Sequence, residues 1–279
     1  MDIADDHRGV ARPLFAKVVR TSWREGDTSA GQRAVPEEVA VAFTYNGGTH
    51  AVMMATPADL EDFAIGFSLT ESIVRSRDEI KQLEIVDTPI GVEARMWLSE
   101  AKARALVDRR RHNAGPTGCG LCGIESLTEA VRSVPSVPDG QRFTAADIAE
   151  AVNALGPLQS LNHVTHAVHG AAFWQKGEGI VAVREDVGRH NALDKLIGAL
   201  ARQDIAGSSG LLVMTSRVSV ELVQKAALAS CPILVAVSAP TALAIRTADA
   251  AGMTLVAVAR SDGFEVFTHA YRIAGSEVV

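Results

Sequence analysis

Leu211-Leu212-Val213-Met214-Thr215-Ser216-Arg217-Val218-Ser219-Val220-Glu221-Leu222-Val223-Gln224-Lys225 opens on four apolar residues, turns polar for three, and then takes up the apolar spacing of a helix. The pattern repeats downstream. An apolar run at 233–237 precedes a helical pattern at 241–251, a second run covers 254–259, and a last strand is expected near 264–267. Short buried strands alternating with helices at this spacing predict βαβ units and a largely parallel sheet between helices. Upstream of the same stretch, Thr144 is expected to cap a helix to Leu155, with strands near 167–174 and 180–184 and a helix at about 190–202. Residues 124–279 are therefore read as a mixed, mainly parallel, three-layer α/β/α sheet domain.

The N-terminal part has another rhythm. Val39, Val41 and Phe43 alternate, Asn46-Gly47 supplies turn chemistry, and Ala51 to Met54 returns as the second strand of a hairpin. Thr56-Pro57-Ala58-Asp59 is expected to start a helix, with threonine as cap and proline at the first helical position. Strands at 82–86 and 92–98 and a short helix at 99–108 complete a small α+β domain, taken as 34–123. Residues 1–33 are polar and without sustained period and read as a flexible arm. Pro135-Ser136-Val137-Pro138-Asp139-Gly140 is the best linker candidate.

Composition narrows the function. With 279 residues and 47% hydrophobics the chain can bury a full core. A net charge of −6 argues against a general nucleic-acid binder, whose phosphate footprint needs a basic excess. No apolar stretch has the length of a membrane span, and the first residues lack the basic and apolar segments of a signal peptide, so a cytoplasmic protein is expected. Three cysteines, an odd number in a long chain, fit a reducing compartment.

Two of those cysteines stand in Gly118-Cys119-Gly120-Leu121-Cys122-Gly123. Glycine on every side leaves the thiols reachable and the backbone free to swing either sulfur toward a partner. Cys231, before Pro232 and an apolar run, reads as a core residue. A structural zinc site needs further ligands, for which His163, His166 and His169 are the only candidates. A thiol oxidoreductase would place its cysteines at a helix start after the first strand of a βαβ unit. Sulfur relay needs a thiolate on a movable loop, and a glycine-rich turn with incidental thiols needs nothing. The glycines favour relay. Zinc nucleobase deaminases require H-x-E and P-C-x-x-C, whereas Gly118 precedes Cys119 and no H-x-E occurs. A serine nucleophile elbow is also missing.

In open α/β sheets ligands bind beyond the carboxyl ends of the strands. Thr215-Ser216-Arg217, Ser238-Ala239-Pro240-Thr241 and Arg260-Ser261-Asp262-Gly263 follow apolar strands here. The first two lead into helix N-termini, where free N–H groups beside Arg217 and Arg260 suit phosphates or a pterin's polar edge; helix capping alone also explains Ser216 and Thr241. The densest polar stretch is Arg184-Glu185-Asp186-Val187-Gly188-Arg189-His190-Asn191-Ala192-Leu193-Asp194-Lys195. Gly188 and His190 suggest close approach to a ligand, while His190, Asp194 and Lys195 also fit a solvated helical face. In a strand, His163 and His169 would share one face and His166 the other, so the three would not converge.

Taken together, G-C-G-L-C-G, R-E-D-V-G-R-H-N-A-L-D-K and M-T-S-R-V-S-V-E-L-V-Q-K-A resemble the formate dehydrogenase accessory sulfurtransferase (FdhD) family, from about Glu38 to the C-terminus. The resemblance implies a sulfurtransferase that takes persulfide sulfur from a cysteine desulfurase. It passes the sulfur to a molybdenum cofactor carrying two pyranopterin guanine dinucleotides, which then enters formate dehydrogenase. It implies that Cys119 carries the persulfide with Cys122 as companion, and that Val258, Ala259, Arg260, Ser261, Asp262 and Gly263 bind the cofactor. It also implies a homodimer, a cytidine-deaminase-like sheet domain and no structural metal. Chemistry agrees on what Cys119 needs: it must be a thiolate, which a following helix start and Arg109 to His112 would favour. Ser216, Arg217, Arg260 and His190 are expected at the guanine dinucleotide ends. A cofactor-binding chaperone that transfers no sulfur stays open as the alternative.

Overall fold

A computed structural model describes residues 12–112 and 134–275. Strands β1 (Phe15–Arg24) and β2 (Asp27–Pro36) form an antiparallel ribbon. Residues 15–33 are therefore not the loose arm expected from their polarity. Glu25 and Gly26 both hold positive φ, 52° and 90°, the backbone of a tight hairpin turn whose twist matches its strands. Strands paired mainly through backbone leave no apolar pattern to read.

β3 (Val39–Tyr45) and β4 (Gly48–Ala55) follow as the expected hairpin, then helix α1 (Leu60–Thr70), β5 (Ile80–Thr88), β6 (Gly91–Leu98) and helix α2 (Glu100–His112). The sheet order is β4-β3-β6-β5, with β3 and β6 parallel. Alternate side chains of β3 and β6 bury against α1, where Phe43 stacks on Phe67 at 4.2 Å and meets Phe63 edge-on at 4.9 Å. Helix α1 starts later than Thr56-Pro57 implied. Its cap position is Asp59, in a left-handed conformation, because Thr56 is drawn into a buried polar network instead.

The second half runs β7 (Phe143–Thr144), α3 (Ala145–Leu158), α4 (Ser160–Thr165), β8 (His169–Gln175), β9 (Gly179–Asp186), α5 (Arg189–Arg202), β10 (Leu211–Met214), α6 (Val220–Leu228), β11 (Ile233–Ala236), α7 (Ala242–Ala250), β12 (Thr254–Arg260), β13 (Gly263–Thr268) and β14 (Ile273–Ala274). Thr144 caps α3 as expected, accepting from the Asp147 N–H while the Asp147 carboxyl accepts from the Thr144 N–H. The six-stranded sheet has the order β13-β12-β11-β10-β8-β9. It is mixed: β10, β11 and β12 pair in parallel, and the pairs flanking them are antiparallel.

Alternation along each strand makes the three layers. Leu212, Met214, Leu234, Ala236, Leu255 and Ala257 pack against α5, α6 and α7, whereas Leu211, Val213, Ile233, Val235 and Val256 pack against Ile148, Ala151 and Leu155 of α3. The 135–140 segment is less of a linker than its prolines suggest. Val137 donates its N–H to Ala251 O, and the buried Arg272 guanidinium donates to Asp139 O and Pro138 O.

The two sheets are joined by α1 crossing α5. A Cβ at Gly66 would lie 1.7 Å from Asp194 O, and one at Gly198 would lie 1.8 Å from Asp62 O, so only glycine permits this approach. Among the described residues no helix is long and apolar enough to cross a membrane.

Candidate functional site at the carboxyl edge of the sheet

Because β10, β11 and β12 run in parallel, their carboxyl ends open on one edge. β9 points the same way, since it is antiparallel to β8 and β8 to β10. Asp186, His169 at the start of β8, Thr215, Ser216, Arg217, Ser238 and Val258 are thus gathered from segments far apart in sequence. Thr215 Oγ1 accepts from the Gly170 N–H at 2.9 Å, and Ser238 O accepts from the Val258 N–H at 3.2 Å.

Beneath this edge lie two ion pairs that the sequence reading did not foresee. Lys195 Nζ sits 2.6 Å from Asp186 with both side chains fully buried, and it also donates to Thr56 O at 2.9 Å. Asp186 accepts further from the N–H groups of Thr56 and Gly188 and from Asn191 Nδ2. Lys225 Nζ donates to Asp194, Glu71 and Thr70 Oγ1, each at about 3 Å. Burial works against the Lys225 charge, yet Asp194 and Glu71 outweigh it and raise its pKa. For Lys195 burial wins over Asp186 and lowers the pKa.

Asp194 and Lys195 therefore do not form the solvated helical face considered above. Both stand on the side of α5 turned into the protein, Asp194 bridging to Thr70 of α1 and Lys225 of α6, and Lys195 reaching Thr56 ahead of α1. Gly188 approaches its own neighbours rather than open space: a Cβ there would meet Asn191 Nδ2 at 2.9 Å.

His190, on the first turn of α5, is held neutral. Burial, then the charges of Arg189 and Lys225, bring its pKa down to about 4. Its Nε2 faces Glu221 Oε2 of α6 at 3.9 Å, beyond hydrogen-bond reach. Arg189 Nε, His190 Nε2, Ser219 Oγ and Glu221 Oε2 are all buried without a hydrogen-bond partner. His169 is likewise held below its ordinary value, by burial and by Arg189.

The remaining sequence candidates separate. Ser216 is buried and its hydroxyl donates to Arg217 O, while Arg217 is exposed. Val258 lies at the edge with φ 52°, inside an irregular stretch of the β12–β13 pairing. The irregularity turns the Ala259 side chain onto the α3 face, where it is buried, so its backbone is what it presents at the edge. Arg260 pairs with Gly263 across the exposed turn that carries Ser261 and Asp262. His163 lies in α4, His166 ends it in a left-handed conformation, and only His169 is in a strand; among the described residues no three His, Cys, Asp or Glu side chains group as a metal site. Cys231 is buried, which pushes its thiol up to about 12. Cys119, Cys122 and the helix expected at 124–131 lie outside the described residues. Glu221, Lys225, Thr56 and Ser219 were missed as site residues. Ser219, Glu221 and Lys225 did stand in a quoted motif, but only the packing of α6 on α5 reveals them.

A three-layer α/β/α protein with a second sheet and a buried charge network under a polar carboxyl edge is the class that fold and site define. Comparison is more specific. The model of the FdhD/NarQ family matches residues 36–274. The sulfur carrier protein FdhD of Agrobacterium fabrum is 57% identical over 260 residues, 93% of this chain and 96% of that protein. The protein of the same name from Cupriavidus necator is 45% identical over 94% of this chain and 91% of its own length. The crystal structure of a candidate formate dehydrogenase accessory protein from Desulfotalea psychrophila superposes with a TM-score of 0.75 at 26% identity, covering 94% of this chain and all of that one. This chain belongs to the FdhD/NarQ family.

Proposed function

We propose that this protein carries sulfur for the maturation of formate dehydrogenase, and that the carrier atom is Cys119 Sγ. The observation that carries the reading is the glycine-flanked Cys119-x-x-Cys122 pair in a chain whose relatives are named sulfur carrier proteins. In this reading the Cys119 thiolate attacks the outer sulfur of a persulfide on a cysteine desulfurase. The bond from that sulfur to the donor cysteine breaks, and the donor leaves as a thiolate. Attack of the Cys122 thiolate on Cys119 Sγ then forms a disulfide and releases the outer sulfur as sulfide to its acceptor. A cellular dithiol reductant resets the pair. The acceptor is the molybdenum cofactor with two pyranopterin guanine dinucleotides, held as substrate at the carboxyl edge near Ser216, Arg217, Val258, Arg260 and His190. The protein acts as a cytoplasmic homodimer.

The test is the intact mass of the protein after incubation with a cysteine desulfurase and cysteine. Wild type gains the mass of added sulfur, Cys119→Ala does not, and Cys122→Ala gains sulfur but releases it slowly. Unchanged sulfur loading in Cys119→Ala removes Cys119 as the carrier. Maturation of formate dehydrogenase by a protein lacking both thiols would replace transfer by a cofactor-binding chaperone.

A further inference from the structure

β1 and β2 make a ribbon of ten-residue strands, about 34 Å long at the rise of an extended chain. Its root is held. Arg12 donates to Asp87 at 2.7 Å and to Thr88 O at 2.8 Å, and Arg33 donates to Thr165 O. Its far half stands largely in solvent. By the register, Val19, Thr21 and Trp23 share one face with Thr28, Ala30 and Gln32, a face without a charge, on which Val19 is 81% and Trp23 75% exposed. Two strands alone are only marginally stable in water and need a surface to pack on. A valine and a tryptophan aligned on one exposed face mark the side that packs.

The same chain carries a counterpart. Val39, Val41 and Phe43 of β3 turn toward α1, so Ala40 and Ala42 turn the other way, and their partners on β4 are Met54 and Val52, exposed at 48% and 52%. Glu93 of β6 continues this outer face beside Ala42. A flat surface of small and apolar side chains suits the face of a ribbon, and the four strands span about 15 Å, less than half the ribbon's length. Charge decides what the ribbon meets. Residues 12–36 hold five Lys or Arg and two carboxylates, whereas the chain as a whole is at −6. The ribbon is therefore drawn to the body of another copy and repelled by that copy's ribbon.

We infer that the ribbon is an exchange arm between two copies of this chain: the Val19–Trp23 face of each ribbon lies on the outer face of the partner's first sheet, against the partner's Val52 and Met54, with Lys17 toward the partner's Glu93. The contact is made twice in a closed pair related by a two-fold axis. This rests on the homodimer of the proposed function and adds to it the surfaces that form it.

The experiment is sedimentation velocity of the full-length protein over a dilution series, for wild type, the double variant Val19→Glu/Trp23→Glu and Val52→Glu. All three side chains are exposed, so the variants should keep the wild-type circular dichroism. Wild type is expected as a dimer, and in each variant the dimer dissociation constant should rise at least about a hundredfold, because each substitution damages the contact twice per dimer. An equimolar mixture of the two variants should regain dimers, since the ribbon of the Val52→Glu chain finds an intact face on the other. Pairing of ribbon with ribbon would leave Val52→Glu dimeric from the start, which overturns the inference. A ribbon variant that stays dimeric yet gains no sulfur from the desulfurase also overturns it and gives the ribbon to the desulfurase. A monomeric wild type removes the homodimer itself, whereas a dimer that neither variant loosens removes only the ribbon's part in it, so the two failures are distinguishable.

Discussion

Lys195 and Asp186 meet at 2.6 Å with neither side chain touching solvent, and four hydrogen bonds converge on that carboxyl group. Removing one member of such a pair strands the other charge. Lys195→Met is expected to lower unfolding free energy by about 3–5 kcal/mol, measured by urea denaturation at neutral pH. His190 gives a pH dependence whose sign follows from its burial. Its folded pKa of about 4 lies below the ordinary 6.5, so between those values the unfolded chain binds a proton that the folded one refuses. Stability should therefore fall as pH drops through this window, with a limiting slope of about 1.4 kcal/mol per pH unit for one proton. His190→Gln should flatten that part of the curve, and an unchanged slope would show that His190 titrates normally in the fold.

Elements meet where side chains are absent. Gly66 on α1 and Gly198 on α5 let the two backbones touch, and a methyl group at either position would overlap a carbonyl oxygen that has no rotamer to move. Alanine favours an isolated helix by about 1 kcal/mol over glycine, so intrinsic propensity predicts stabilisation from Gly66→Ala or Gly198→Ala. The packing predicts the reverse, a loss exceeding the usual cost of overpacking of about 1–3 kcal/mol. The denaturation midpoint of either variant decides between them. At α3 the capping box is a milder contributor, and Thr144→Ala should cost about 1 kcal/mol by the same measurement.

On the scale of the molecule, the polar network makes the two sheets one structure. Thr56, in the segment before α1, and Thr70, its last residue, are bound to Lys195 and Asp194 of α5 and to Lys225 of α6. The halves are expected to unfold together. Trp97 reports on the first sheet and Trp174 on the second, so variants retaining one or the other tryptophan should show coincident urea midpoints. Separated midpoints would mean that the α1–α5 junction opens first. The ribbon of β1 and β2 touches the rest through Arg33, which donates to Thr165 O, while Val19 and Trp23 are largely exposed at 81% and 75%. A two-stranded ribbon by itself is only marginally stable, so in the dissociated chain its amides should exchange fastest of all the strands.

The sequence by itself determined the α/β class, the hairpin at Asn46-Gly47, the alternation of strands and helices after Phe143 and the Thr144 cap, because each is encoded in the spacing of a few neighbouring residues. It also determined that Cys119 and Cys122 are accessible-thiol candidates and, through three motifs, the family. Tertiary structure alone decided which charges are buried. Asp194 and Lys195 look like surface residues in a helix that carries Arg189 and Arg202, and only the approach of α1 through Gly66 and Gly198 encloses them. It likewise turned Ala259 into the core, took Thr56 from a cap into the charge network, and paired residues 15–36 into a ribbon through backbone hydrogen bonds that carry no side-chain signature. Local pattern records which face of an element is apolar. What that face meets, and whether a charge beside it finds a partner, depends on residues more than a hundred positions away, as between Thr56 and Asp186 or Thr70 and Asp194.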